Sequence, residues 1–130
     1  MTDKSTILRA FNENFFSFLD EIIGLFPENY DIKAAKQTFL TIKKANPSTI
    51  CKIWWNYIYS PYQSIIDDGD INFFIEKDYG NDLDVLQNSG DVINFINNIR
   101  EPIRNMDENN KNTSMKYLQV LSKLSKVYNN

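Results

Sequence analysis

One segment constrains the fold more than any other: Ile50-Cys51-Lys52-Ile53-Trp54-Trp55-Asn56-Tyr57-Ile58-Tyr59-Ser60-Pro61-Tyr62. It carries both tryptophans and three of the seven tyrosines of the chain. Wound as a helix, it is apolar almost all the way round. Ile50, Ile53, Trp54, Tyr57 and Ile58 form one stripe at helical spacing, and Cys51, Trp55 and Tyr59 form a second. Only Thr49, Lys52, Asn56 and Ser60 make a narrow polar edge. Such a helix is either wrapped by other elements or presents an adhesive face to a partner. The first stripe is expected at the centre of a core. The second stripe, continued to Tyr62, is the candidate partner-binding face, made of Trp55, Tyr59 and Tyr62.

The rest of the chain supplies helices to surround it. Leu8, Phe11, Phe15, Phe18, Leu19, Ile22 and Phe26 recur at three- and four-residue steps, so the spacing predicts a helix over 7–26, capped by Ser5 or Thr6 and stopped by Pro27. A second helix is expected over 32–45, with Asp31 as its cap and Ile32, Ala35, Phe39 and Ile42 inward. Asn46-Pro47 then reads as the start signal of the aromatic helix, and Ser60-Pro61 as its bend or end. Tyr62 to Asp67 reads as one more helical turn, and Asp67-Asp68-Gly69-Asp70 as a turn proper. Residues 71–79 fit a short helix or a short strand, with helix favoured because no partner strand offers itself. Residues 80–90 read as loop or short helix anchored by Leu83 and Leu86. Asp91 is the expected cap of a helix whose stripe is Val92, Ile96, Ile99, Ile103 and Met106, kinked or restarted at Pro102. Ser114 is the expected cap of a last helix packing Tyr117, Val120, Leu121, Leu124 and Tyr128, after a fraying polar stretch at 107–114. No internal repeat is present. The sum is an all-α, compact single-domain bundle of five to seven helices with short polar loops, spanning residues 1–130.

The chain's 130 residues suffice for one core, and a hydrophobic content of 42% argues against disorder. No run of 18 apolar residues suggests a membrane span, and the N-terminus lacks a signal-peptide pattern. The single Cys51 fits a reducing compartment. The net charge of −3 is sorted along the chain: blocks 1–31, 32–64, 65–91 and 92–130 carry −4, +5, −7 and +3, which add to −3. Such blocks either cancel by packing together or steer a partner.

Histidine is absent, which removes the commonest general base and metal ligand and the usual serine and cysteine triads. Cys51, between Ile50 and Trp54, reads as a buried inert thiol. No glycine-rich phosphate loop exists. Asp67-Asp68-Gly69-Asp70 misses the calcium-loop pattern, since Ser64 and Ile66 fall where carboxylates are required; a loose cation site in the acidic segment 67–84 stays open. Carboxylate pairs such as Asp68 with Asp70, or Asp82 with Asp84, are too common in acidic loops to be diagnostic. No enzyme, cofactor or metal site is therefore expected. The basic patch Lys33, Lys36, Lys43, Lys44 and Lys52, with aromatic neighbours, is the alternative site and would serve a nucleic acid.

Four stretches, Phe73-Phe74-Ile75-Glu76-Lys77-Asp78-Tyr79, the ending from Met115 to Tyr128, the central Ile53-Trp54-Trp55, and Arg100-Glu101-Pro102-Ile103, resemble a group of small uncharacterised proteins encoded by nucleocytoplasmic large DNA viruses. That resemblance implies a viral protein acting in the cytoplasm of an infected cell or inside a virion, and brings no site residues with it. The residues themselves favour a non-enzymatic protein working through protein–protein contacts, with a protein partner or with itself. A nucleic-acid-associated factor using helix 32–45 is the alternative.

Overall fold

The computed structural model describes residues 3–76 and 98–129. Among these residues every regular element is helical and no strand occurs, so the all-α expectation holds. In chain order the elements are α1 (Lys4–Leu25), α2 (Tyr30–Ala45), α3 (Thr49–Ile53), a π-helical stretch (Trp54–Tyr59), a 3-10 turn (Ser60–Tyr62), α4 (Gln63–Asp67), α5 (Ile71–Glu76), a helical stretch over 98–104 called α6, and α7 (Glu108–Asn129).

The starts and stops follow side-chain chemistry, and several differ from the sequence expectation. Asp3, not Ser5 or Thr6, caps α1 by accepting the Thr6 N–H at 2.8 Å. Asn29 rather than Asp31 caps α2, accepting the Ile32 N–H at 3.2 Å. Asn46 uses its carboxamide oxygen to accept from both the backbone N–H and the hydroxyl of Ser48, which delays α3 to Thr49. Asp107 accepts the Asn110 N–H, so α7 begins at Glu108 and Ser114 is not a cap. Ser114 instead lies buried one and a half turns in, its hydroxyl donating to the Met106 sulfur at 3.3 Å. Asp70 accepts the Phe73 N–H, and residues 71–76 are helix rather than strand. The expected anchors Leu83 and Leu86, the cap Asp91, the stripe residues Val92 and Ile96, and the pair Asp82 and Asp84 lie outside the described residues. Ile99, Ile103 and Met106 are buried as their spacing predicted, and α6 runs through Pro102.

The segment 49–67 is one continuous helical rod that changes pitch along its length. Its π-helical part is marked by the Ser60 N–H donating to the Trp55 carbonyl, five residues back. Pro61 supplies a cause. A proline cannot donate to the carbonyl four residues earlier, and its ring crowds that carbonyl in regular α geometry; widening to π and tightening to 3-10 relieves both. Phe11, Phe15 and Phe39 pack beside Trp54, with Trp54 edge-on to Phe11 at 6.3 Å and to Phe15 at 6.4 Å, and Phe15 edge-on to Phe39 at 5.0 Å. α1 runs antiparallel to α7: Phe18 stacks on Tyr117 at 5.2 Å, while Lys4 lies over the Tyr128 ring. α7 also lies against the π-helical stretch.

Candidate functional site

The pitch change decides where the aromatic side chains go. In a regular α-helix the residue five positions on sits about 140° around the axis from the first. Closure over five residues brings it round toward the face of the first. Tyr59 therefore falls beside Ile58 on the Trp54 side instead of pointing outward. Trp54, Ile58 and Tyr59 are all buried, Tyr59 with only 2% of its surface exposed. Its hydroxyl donates to Asp67 Oδ1 at 2.7 Å, and burial first, then the Asp67 carboxylate, push the phenol up to about 12.

The expected face of Trp55, Tyr59 and Tyr62 is thus divided, and Tyr59 is corrected to a core residue. Trp55 and Tyr62 are half-buried; Trp55 lies edge-on to Tyr59 at 5.9 Å, and Tyr62 lies tilted on Phe73 at 5.6 Å. Tyr57 and Ile53, expected in the core, are only half-buried. Cys51 is fully buried, and desolvation pushes its thiol up to about 12 against a smaller downward pull from Asn129 and Lys52. A thiol held neutral in this way is no nucleophile at ordinary pH.

The lysines do not gather into one free patch. The Lys36 ammonium pairs with Asp20 of α1 at 2.6 Å, Lys43 lies over the Phe16 ring, and Lys33 over the exposed Tyr30 ring. Lys44 and Lys52 point to solvent. Of the acidic residues, Asp67 holds Tyr59 and Asp70 caps α5, leaving Asp68 and Glu76 exposed. Among the described residues no group of three Cys, Asp or Glu side chains is placed to hold a metal ion.

One α7 residue, Val120, lies on the other side of its helix from where spacing put it. The buried face of α7 is Ser114, Met115, Leu118, Leu121, Ser122 and Ser125, and Val120, expected inside, is 42% exposed. Small serines on this face let α7 approach the bulky rod, and the Trp54 indole N–H donates to Ser122 Oγ at 3.0 Å. Ser125 Oγ donates in turn to the Ser122 carbonyl. With the serines inward, Val120 and Val127 are turned outward, the last 55% exposed. Tyr117, stacked on Phe18 of α1, and Leu124 and Tyr128 are half-buried against the core, and Leu121 is fully buried, as their spacing predicted.

Beside these valines two shallow depressions share Tyr117. One, of about 460 Å³, is lined from α1 by Ser17, Asp20, Glu21, Gly24 and Leu25. The other, of about 340 Å³, is lined by Asn14, Thr113, Lys116 and Val120. The short α1 side chains Asn14, Ser17 and Gly24 leave the seam between α1 and α7 open, with nothing within 4 Å of where a Cβ on Gly24 would lie. Leu25, 41% exposed, closes its end.

Among the described residues no helix is long and apolar enough to cross a membrane. Comparison of the chain with protein-family models, with curated proteins and with solved structures finds no match.

Proposed function

We propose that this is a non-enzymatic helical module that works by contact with another protein chain, and that the contact is made along the α1–α7 seam. The observation that carries the reading is the exposure of Val120 and Val127 on α7 and of Leu25 on α1, beside an open groove lined by the half-buried Tyr117. Exposed apolar patches rimmed by charge are where folded proteins meet partners. The half-buried Trp55 and Tyr62 of the rod are a smaller candidate. The resemblance to small proteins of nucleocytoplasmic large DNA viruses is what supports a viral setting, in the cytoplasm of an infected cell or in a virion.

The test uses the double variant Val120→Glu with Val127→Glu. Both positions face solvent, so circular dichroism and thermal stability should match wild type. Affinity capture from the producing cells, with cross-links located by mass spectrometry, should then show partners bound through α7 in wild type and lost in the variant. Identical captured sets, or cross-links that avoid α1 and α7, overturn the reading.

A further inference from the structure

We infer that the depression between α1 and the end of α2 binds a small molecule carrying an N–H donor beside a carboxylate: a free amino acid or the end of a peptide chain. The site is separate from the α1–α7 seam and stands or falls independently of the contact reading above. It measures about 390 Å³ and is lined by Leu8, Arg9, Asn12 and Glu13 of α1 and by Lys43 and Pro47. That is near the small end of the range for ligand sites, about 300–1,000 Å³.

Asn12 is what marks the depression as a site. Its side chain lies at the base, with only 3% of the residue exposed. Its Nδ2 donates to the Pro47 carbonyl at 3.0 Å. A carbonyl oxygen can only accept, so the amide cannot be turned round without losing that bond. The other edge of the amide is therefore an acceptor, Oδ1, which is buried and receives no hydrogen bond among the described residues. A buried amide oxygen is costly to leave in this state. The group that completes it has to bring an N–H or O–H into the depression.

The charged groups around Asn12 narrow the ligand further. A bare carboxylate or sulfate would suit Arg9 and Lys43 but has no donor for Oδ1. A bare cation would have a donor but is repelled by the same two side chains. A molecule with both groups meets both needs. Arg9 and Glu13 are exposed and stand one turn apart on α1, about 6 Å along the axis, with Asn12 between them in height. The Arg9 guanidinium can take a carboxylate through two N–H groups. The neighbouring N–H of the ligand then donates to Asn12 Oδ1, and Glu13 favours a charged amine over a neutral amide at that place. Lys43 already lies over the Phe16 ring, so it adds positive potential rather than a direct bond. Half-buried Leu8 and the Pro47 ring give the ligand's side chain an apolar wall.

The test is a titration of the isotope-labelled full chain with leucine, followed by two-dimensional NMR. The Asn12 side-chain amide pair should move saturably, together with the backbone amides of Arg9 and Glu13, with a dissociation constant on the order of 1 mM. Leucinamide, which lacks the carboxylate, should bind at least about tenfold more weakly. N-acetylleucine separates the two sources. Binding equal to that of leucine assigns the end of a peptide chain, binding about tenfold weaker assigns the free amino acid, and either result supports the site. Arg9→Gln should weaken leucine by about tenfold, whereas Lys123→Gln, exposed on α7, should leave it unchanged. Asn12→Ala should abolish binding. Because it also removes the bond to Pro47, its thermal unfolding is compared with that of Arg9→Gln, whose exposed side chain can be changed without loss of the fold. Four results overturn the proposal: no saturable shift up to about 20 mM leucine, saturation to which the Asn12 amide does not respond, leucinamide binding as tightly as leucine, or an Arg9→Gln protein that binds leucine like wild type.

Discussion

The bond between Trp54 and Ser122 gives the sharpest quantitative test of how α7 is seated. Both side chains are essentially without exposed surface, and the indole N–H has the serine hydroxyl as its partner at 3.0 Å. Ser122→Ala keeps the backbone and nearly all the volume but strands a buried donor. Leaving such a group unsatisfied costs about 1–3 kcal/mol. For 130 residues, an unfolding entropy of about 2.1 cal/mol/K per residue makes about 0.27 kcal/mol/K, so the expected fall in Tm is about 4–11 °C. Urea unfolding followed by dichroism should give a lower midpoint with an unchanged slope, since the surface exposed on unfolding is the same. Trp54→Phe removes the donor and also leaves space among Phe11 and Phe15, so it is costly alone. With Ser122→Ala already present, Trp54→Phe should cost less than it does in wild type, by about 0.5–1.5 kcal/mol. A Ser122→Ala protein within about 0.5 kcal/mol of wild type, or two substitutions that simply add, would refute the reasoning.

Deleting the exposed Asn56 should convert the π-helical stretch to α geometry with Ile58 and Tyr59 still flanking Trp54, at a cost of about 1 kcal/mol or less; deleting exposed Ser17 from the regular helix α1 rotates everything after it by about 100° and should prevent folding. Equal damage from both deletions, measured by thermal unfolding, contradicts the pitch assignment. Gly69 has φ of +79°, and an added Cβ would lie 3.4 Å from Gln119 Nε2, which itself donates to the carbonyls of Ile66 and Asp67. Gly69→Ala should therefore lose about 1–2 kcal/mol, and an unchanged urea midpoint would contradict this. The Cys51 thiol and the Tyr59 phenol are both raised, from 9.0 and 10.0 to about 12, so their neutral forms are favoured by the fold. Their contribution is complete below pH 9 and is lost as pH rises through 12, with the thiol alone removing up to about 1.4 kcal/mol per pH unit. Cys51→Ala should flatten part of that alkaline slope, and a wild-type midpoint constant from pH 8 to 11.5 would contradict the burial assigned to both groups.

The fold class was legible because long amphipathic repeats such as Phe11, Phe15, Phe18, Leu19 and Ile22 leave little choice of period. The site was less legible, for two physical reasons. Stripe analysis assumes one pitch, and the π-helical turn moves Tyr59 from an outer stripe into the core without any change in composition. Apolar counting also ranks serine as a surface residue. On α7 the inward positions Ser114, Ser122 and Ser125 are chosen for closeness of approach and for a hydrogen bond to Trp54, so Val120 was turned inward on paper when the helix turns it out. Caps differ for a related reason: Asp3 and Asn29 lie two residues before the competing Ser5 and Asp31, and Asp107 lies seven before Ser114, and only the local backbone decides among them.

The central claim is that the aromatic rod is the inside of the molecule, with Trp54 sealed and Trp55 at its edge. Acrylamide quenching of the Trp55→Phe protein, in which Trp54 is the sole fluorophore of its kind, tests this most directly. The account predicts blue-shifted emission that acrylamide barely quenches until the protein is unfolded. Emission at the wavelength of free indole in water, quenched in the folded protein as readily as in urea, would contradict it.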